Sequence, residues 1–335
     1  MSQQTISPVD QMMQFILGNW ISKPIYVATK LGIADILAGG ARSIDEIAEK
    51  TETHSPTLYR LMRALSGLGI FAETEDRVFV NTPLSECLQE NRLRAASLLF
   101  HSDWHDRMWD HLLYSIKTGR PAFDKVHGKP AFEWFADHAE EAKVFHDANS
   151  FKAAMSHRVI VDVYDFTGIK ELTDVGGGLG GLMMETLRAN PTMRGIVAEL
   201  PETARRVGAI VEDSELADRM TAVECDFFEE VPAGSDAYLL SHVLHDWSDE
   251  RCVRILRNCR KAMGTDGRLL IVEAVIPTGN AFSVSKLLDL EVLLMGGGRE
   301  RSEEEFRWLL EESGFRLSRI LPSDGDVSII EGIPE

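Results

Sequence analysis

The chain has 335 residues, 44% of them hydrophobic and 26% charged, which suits a soluble globular protein with one large domain or two unequal ones. Its net charge is −18, from 35 Lys and Arg against 53 Asp and Glu, and this opposes phosphate backbones and anionic lipid surfaces. No apolar run nears the ~18 residues of a membrane span, and neither an export signal nor a CxxC or zinc spacing among Cys87, Cys225, Cys252 and Cys259 is evident, so the expectation is a cytoplasmic protein without metal.

Residues 11–37, QMMQFILGNWISKPIYVATKLGIADIL, carry apolar residues at helical spacing, with an interruption expected at Pro24 and a break around Gly32. Met12, Met13, Phe15, Ile16, Trp20 and Ile21 make an apolar surface suited either to a partner or to the chain's own core. Ser43 followed by Glu46 is a capping-box start, and Pro56 suits the first turn of a second helix with Leu58, Leu61, Met62 and Leu65 on one face. GIFAETEDRVFVNT then reads as a hairpin, which completes a winged-helix outline. The outline raises DNA binding, but the second helix offers only Arg60 and Arg63, and the wing sets Glu73, Glu75 and Asp76 against Arg77. Such a wing repels phosphates, so a packing or dimerisation module is the better reading.

Residues 93–160 are helical in pattern and rich in aromatic residues, with loops at TGRPAF and VHGKP; helices of this kind pack, or roof a pocket. From about residue 170 the pattern alternates. ELTDVGG, RGIVAEL, MTAVECDF, DAYLLSHV and RLLIVEAVI read as strands, separated by the helical GGLMMETLRAN, PETARRVGAIVED and DERCVRILRNCRKAM. This predicts an α/β fold, a parallel sheet covered by helices on both faces, with its site at the C-terminal strand ends.

TDVGGGLGGLMMETL is strand, glycine turn and helix start, and its glycines at 176, 178, 180 and 181 satisfy both GxGxG and GxGxxG. Alone that pattern is weak, because glycine turns also serve strand–helix packing. Asp174, just before the glycines, would repel a pyrophosphate but suits a cationic aminoacyl-sulfonium ligand. Glu199 ends the next strand, where a carboxylate accepts ribose hydroxyls. Asp226 and Phe227 end a third; Asp226 suits a turn cap as well as it suits the amino edge of adenine. His245, in LLSHVLHDWSDERC, falls at the end of a fourth.

DVGGGLGG, AELP, CDFFEEVP, YLLSHVLHDWSDERCVRILRNCRKAM, LLIVEAVIP and GGGRERSEEEFRWLLEESGF together resemble the ordered signature of S-adenosylmethionine-dependent small-molecule O-methyltransferases, a family that includes plant caffeate, flavonoid and acetylserotonin enzymes and microbial polyketide-tailoring enzymes. The resemblance covers nearly the whole chain and implies a Rossmann-like catalytic domain over residues 93–335, made of a pocket-covering segment (93–160) and a core (161–335). It also implies a winged-helix-like homodimerisation domain over residues 1–92.

By the same resemblance, the cofactor is S-adenosyl-L-methionine and His245 is the general base that takes a hydroxyl proton, flanked by Glu273 and Glu300. Asp246 would line the substrate side. Gly176, Gly178, Glu199, Leu200, Asp226, Phe227 and Ser241 would hold the cofactor beside Asp174, with Trp247 either near the adenine or packing structurally. Serine at 241 replaces a lysine frequent in plant members, and Glu199 replaces the usual Asp with a longer arm. Where the family clamps an aromatic ring with Phe and Met, this chain keeps Phe145 but has Asn149, which points to an acceptor with an added polar group or a differently placed ring. His101, Trp104, His105 and Met295 are further pocket candidates, for each of which packing is the better reading. The small-molecule acceptor is expected to be phenolic or polyketide-like, with no role for nucleic acid or membrane. N-methylation, a non-methylating use of the same cofactor, and a DNA-binding regulator are the alternatives.

Overall fold

The computed structural model describes residues 7–90, 92–323 and 327–335. Two compact units make up the chain: Met1–Arg107 with Phe135–Phe151, and Met108–Trp134 with Lys152–Glu335.

In the first unit, the helix Ile44–Thr51 starts on the predicted capping box, with the Glu46 carboxylate accepting the Ser43 amide at 2.7 Å. Pro56 sits in the first turn of the helix Ser55–Gly67, which buries Leu58, Met62 and Leu65. Strands Phe71–Glu75 and Val78–Asn81 form the hairpin, and the short strand Arg42–Ser43 pairs on its far side. Their common core includes Ile33, Ile44, Ile47, Met62, Phe71 and Phe79.

Two local expectations come out differently. The helix Asn19–Lys30 runs through Pro24 rather than breaking there, and the break falls earlier, at Leu17–Gly18. Proline removes the amide that would serve the carbonyl four residues back; here that is Trp20, 74% exposed, where an unserved carbonyl costs little. Gly32 does end the run, at φ +66°. The helix Pro8–Ile16 buries none of its residues, so the Met12, Phe15 and Ile16 surface is not intrachain core.

The second unit is built on a seven-stranded sheet in the order 315–322, 328–334, 268–273, 237–241, 171–175, 194–199, 220–224. The last five are mutually parallel, and the first two are antiparallel to their neighbours. Side chains alternate between two cores, as period-2 geometry requires. Leu239, Leu270 and Val272 enter one; Tyr238, Leu240, Leu269 and Ile271 enter the other. Burial on both faces explains why these strands read as continuous apolar runs. The chain reverses its direction of sheet growth between strands 171–175 and 237–241, and in such sheets the crevice beyond their C-terminal ends is where ligands bind. No helix among the described residues is long and apolar enough to cross a membrane.

Candidate active site

The loop after strand Glu171–Val175 is shaped by left-handed glycines at Gly176, Gly178 and Gly180, with φ of +73°, +56° and +78°. Space is equally restrictive. A Cβ on Gly176 would stand 3.1 Å from Val243 Cγ2 and 3.4 Å from Phe227 Cε1, so the loop, Phe227 and the segment leading to His245 converge. At Gly177 a Cβ would come 2.5 Å from Asp174 Oδ2, which places that carboxylate directly beneath the loop. His157 packs against the loop's exit, its Cε1 within 3.0 Å of where a Gly181 Cβ would lie.

Asp174 is anomalous for its surroundings. It faces the same side as Leu172 and pairs in register with Val197 and Leu239, on an apolar face. It is 1% exposed, and neither oxygen has a hydrogen-bond partner. Burial, with the nearby Glu199 charge, pushes its pKa up to about 7. A buried acid without a donor is costly unless something arrives to pair with it. Glu199 is already engaged: Gly178 N–H donates to Oε1 at 3.0 Å and Leu200 N–H to Oε2 at 2.9 Å, so the longer arm ties strand end to glycine loop. Asp226 caps its own turn by accepting the Phe228 amide at 2.9 Å, as the alternative reading held. Trp247 packs edge-on against Phe228 at 4.9 Å and under the Arg251 guanidinium at 4.9 Å. Leu200 is 56% exposed at the rim, and Ser241 ends its strand opposite Val272. The donor set suits S-adenosylmethionine: a cradle that excludes Cβ atoms, an unpaired acid beneath it, a second acid at the next strand end and an aromatic ring at the third.

His245 lies in the short turn Leu244–Asp246, past strand Ala237–Ser241. Its Nδ1 is 3.0 Å from Glu300 Oε1, and its Nε2 stands 3.7 Å from Asp246 Oδ1, beyond hydrogen-bond reach. In the neutral imidazole, a carboxylate acceptor at Nδ1 keeps the ring proton there and leaves the lone pair on Nε2. Glu273, expected to flank the imidazole, grips the backbone of its turn: Leu244 N–H and His245 N–H both donate to its Oε1, at 2.6 and 3.1 Å. Its buried carboxyl is pushed up to about 7. Burial alone would lower the His245 pKa. The Glu300 hydrogen bond and the charges of Glu273, Asp246 and Glu300 outweigh burial and raise it to about 9.

Sequence reasoning missed several supports. Asp289, on the helix Ser285–Gly296, accepts the Glu300 amide at 2.9 Å and so fixes the residue that fixes His245. The same helix packs against the His245 turn and carries Met295, which is half-buried. His242 holds a left-handed φ of +53°, and its ring centre lies 5.6 Å from that of His245. Only that second histidine of SHVLH was a signal available beforehand.

Phe145, Asn149, His101, His105 and Trp104 belong to the first unit. There Trp104 is buried and meets His105, Phe135 and Phe145 edge-on at 5.5, 5.2 and 6.4 Å, while Phe145 stacks on Phe135 at 4.7 Å. His101 is tied to Asp106, with Nδ1 3.2 Å from Oδ1, and Asn149 is exposed.

Comparison with known proteins gives concordant matches. The O-methyltransferase domain family matches residues 109–316, and the O-methyltransferase dimerisation domain matches residues 13–91. The chain is 40% identical to the phenazine O-methyltransferase PhzM of Lysobacter antibioticus over 326 residues, 96% of this chain and 95% of that protein. It is 37% identical to the mitomycin biosynthesis 6-O-methyltransferase of Streptomyces lavendulae, over 94% of this chain and 91% of that one. Among solved structures, CalO1, a methyltransferase in calicheamicin biosynthesis in its S-adenosylhomocysteine-bound form, superposes with a TM-score of 0.88 at 30% identity, covering 100% of both chains.

Proposed function

The chain belongs to the O-methyltransferase family and is an S-adenosylmethionine-dependent enzyme, and on that premise we propose that it methylates a phenolic hydroxyl of a small aromatic or polyketide-like molecule with His245 as general base. The observation that carries this reading is the 3.0 Å contact between His245 Nδ1 and Glu300 Oε1, which in the neutral imidazole holds the ring proton on Nδ1 and makes Nε2 the proton acceptor. A phenol is a poor nucleophile toward an sp³ carbon until its proton leaves, and Nε2 takes that proton. Glu300 offsets the positive charge that results on the imidazole, and Glu273 holds the turn in which His245 sits.

S-adenosylmethionine supplies, when bound, an electrophilic methyl group on a sulfonium that departs as a neutral thioether. Gly176 and Gly178 receive it closely, Asp174 meets its cationic end, Glu199 accepts from the ribose, and Leu200, Asp226, Phe227, Ser241 and Trp247 frame the adenosine. Asp246 lines the acceptor side with Met295. An amide at Asn149, where the family has Met, favours an acceptor with a polar substituent, so Asn149→Met should shift acceptor preference.

Residues 1–92 form the dimerisation domain and 93–335 the catalytic domain. The exposed apolar face of Pro8–Ile16 supports a homodimer. Four free cysteines suit the reducing cytoplasm. The test is transfer of label from methyl-labelled cofactor across a panel of hydroxylated phenazines, naphthoates and quinones. Incorporation at oxygen supports the reading. Binding of cofactor with no transfer to any phenol, or transfer to nitrogen, overturns it.

A further inference from the structure

One fully buried cation in the second unit has no part in the chemistry described above. Arg301 is 0% exposed, yet all three nitrogens of its guanidinium donate hydrogen bonds. Nη1 donates to Leu244 O at 3.0 Å, Nη2 to Trp247 O at 2.9 Å and Asp249 Oδ1 at 2.8 Å, and Nε to Asp249 Oδ1 at 3.1 Å. The two carbonyls bracket His245 and Asp246, so one rigid fork spans the whole turn that carries the base. A planar guanidinium reaches both carbonyls at fixed spacing, which a lysine ammonium cannot do.

The neighbouring residues act on the same turn. Glu300 meets the His245 ring. Arg299 N–H donates to His245 O at 2.9 Å. Gly298 lies so close that a Cβ there would stand 2.0 Å from that carbonyl. Four consecutive residues thus grip one turn from ring, backbone and flank.

We propose that Arg301 is a positioning residue for His245, holding the turn's backbone in register with Glu300 so that the imidazole meets its carboxylate squarely. It touches neither acceptor nor cofactor in this account, and its effect passes through the Leu244 and Trp247 carbonyls. Asp249, at the start of helix Asp249–Ala262, neutralises the buried charge and fixes the fork. The groups facing His245 are Glu273 from the sheet, Asp246 from its own turn, His242 with its ring centre 5.6 Å away, and Glu300, itself anchored by Asp289 from the packed helix. If the turn slides, the Glu300 contact loosens first, because it is the one side-chain hydrogen bond to the ring among the described residues.

This inference rests on His245 being the base, and its test separates the two ideas. The His245 imidazole is titrated by NMR in the histidine-labelled full-length protein, assigned with a His245→Gln control, and compared with Arg301→Lys and Asp249→Ala. Arg301→Lys keeps the charge and loses the fork. Asp249 is half-exposed, so its alanine variant keeps the test open if Arg301→Lys does not fold. The expected result is a raised midpoint in the parent protein that drops by one pH unit or more in Arg301→Lys, a tenfold change in proton affinity, and moves the same way in Asp249→Ala. A raised midpoint that stays put in the folded variants overturns the positioning role and leaves the base reading standing. A parent midpoint below 6.5 overturns the electrostatic arrangement on which both depend.

Discussion

His245 Nδ1 and Glu300 Oε1 lie 3.0 Å apart, with Glu300 itself only 2% exposed, so a buried carboxylate sets both the tautomer and the basicity of the imidazole. Glu300→Gln removes the charge and keeps the shape. The His245 pKa should fall from about 9 toward the ordinary value of 6.5, and turnover at saturating substrate above pH 9, where both imidazoles are neutral, should drop roughly 10- to 100-fold. Steady-state kinetics across pH on a phenol that the enzyme methylates checks both parts.

The pH dependence of the unmutated enzyme follows from the same pair. With the imidazole pKa near 9, the neutral, proton-accepting form grows as pH rises, so kcat/KM should climb about tenfold per unit between pH 6 and 8 and level above about 9. A profile already flat from pH 7 would contradict a base held so strongly by its acids.

Asp174 predicts a trade of stability for binding. A carboxyl whose pKa is raised on folding holds its proton more tightly folded than unfolded, so the stability it contributes is present below 3.8 and is lost as pH rises through about 7. Asp174→Asn cannot ionise and should therefore be more stable than the parent at pH 8, by on the order of 1–3 kcal/mol, and no more stable at pH 4. S-adenosylmethionine binding, measured by calorimetry, should weaken at least tenfold in the same variant.

Glu199 accepts two backbone amides at once, and a glutamine offers only one oxygen. Glu199→Gln should loosen the glycine loop and cost about 1–3 kcal/mol in S-adenosylhomocysteine affinity, which is a roughly 10- to 100-fold rise in Kd. Unchanged affinity would remove Glu199 from the cofactor site.

Most of the sheet was legible because its signals are local. Strands such as YLLS and LLIVE are short apolar runs bounded by turns, and the DVGGGLGG glycines declare a backbone that no side chain could follow. The capping box at Ser43 is likewise contained in four residues. The remaining supports of His245 were not legible, because Asp289, Gly298 and Arg301 reach it across forty residues or more of intervening chain, and one sequence records no such contacts. Glu273 shows the limit well. Its burial at a strand end was readable, but whether it would meet the ring or the backbone depended on how the 244–246 turn folds over it. Pro24 failed for a different reason: helix-breaking is a local rule, and an exposed neighbour lowers its cost.

The most direct test of the central claim compares the parent enzyme with His245→Ala on a phenol whose own pKa exceeds 9, with S-adenosylhomocysteine binding followed in parallel. With His245 as the base, kcat should fall at least about a thousandfold while cofactor affinity stays within about threefold. Full turnover by His245→Ala on that phenol would contradict that role.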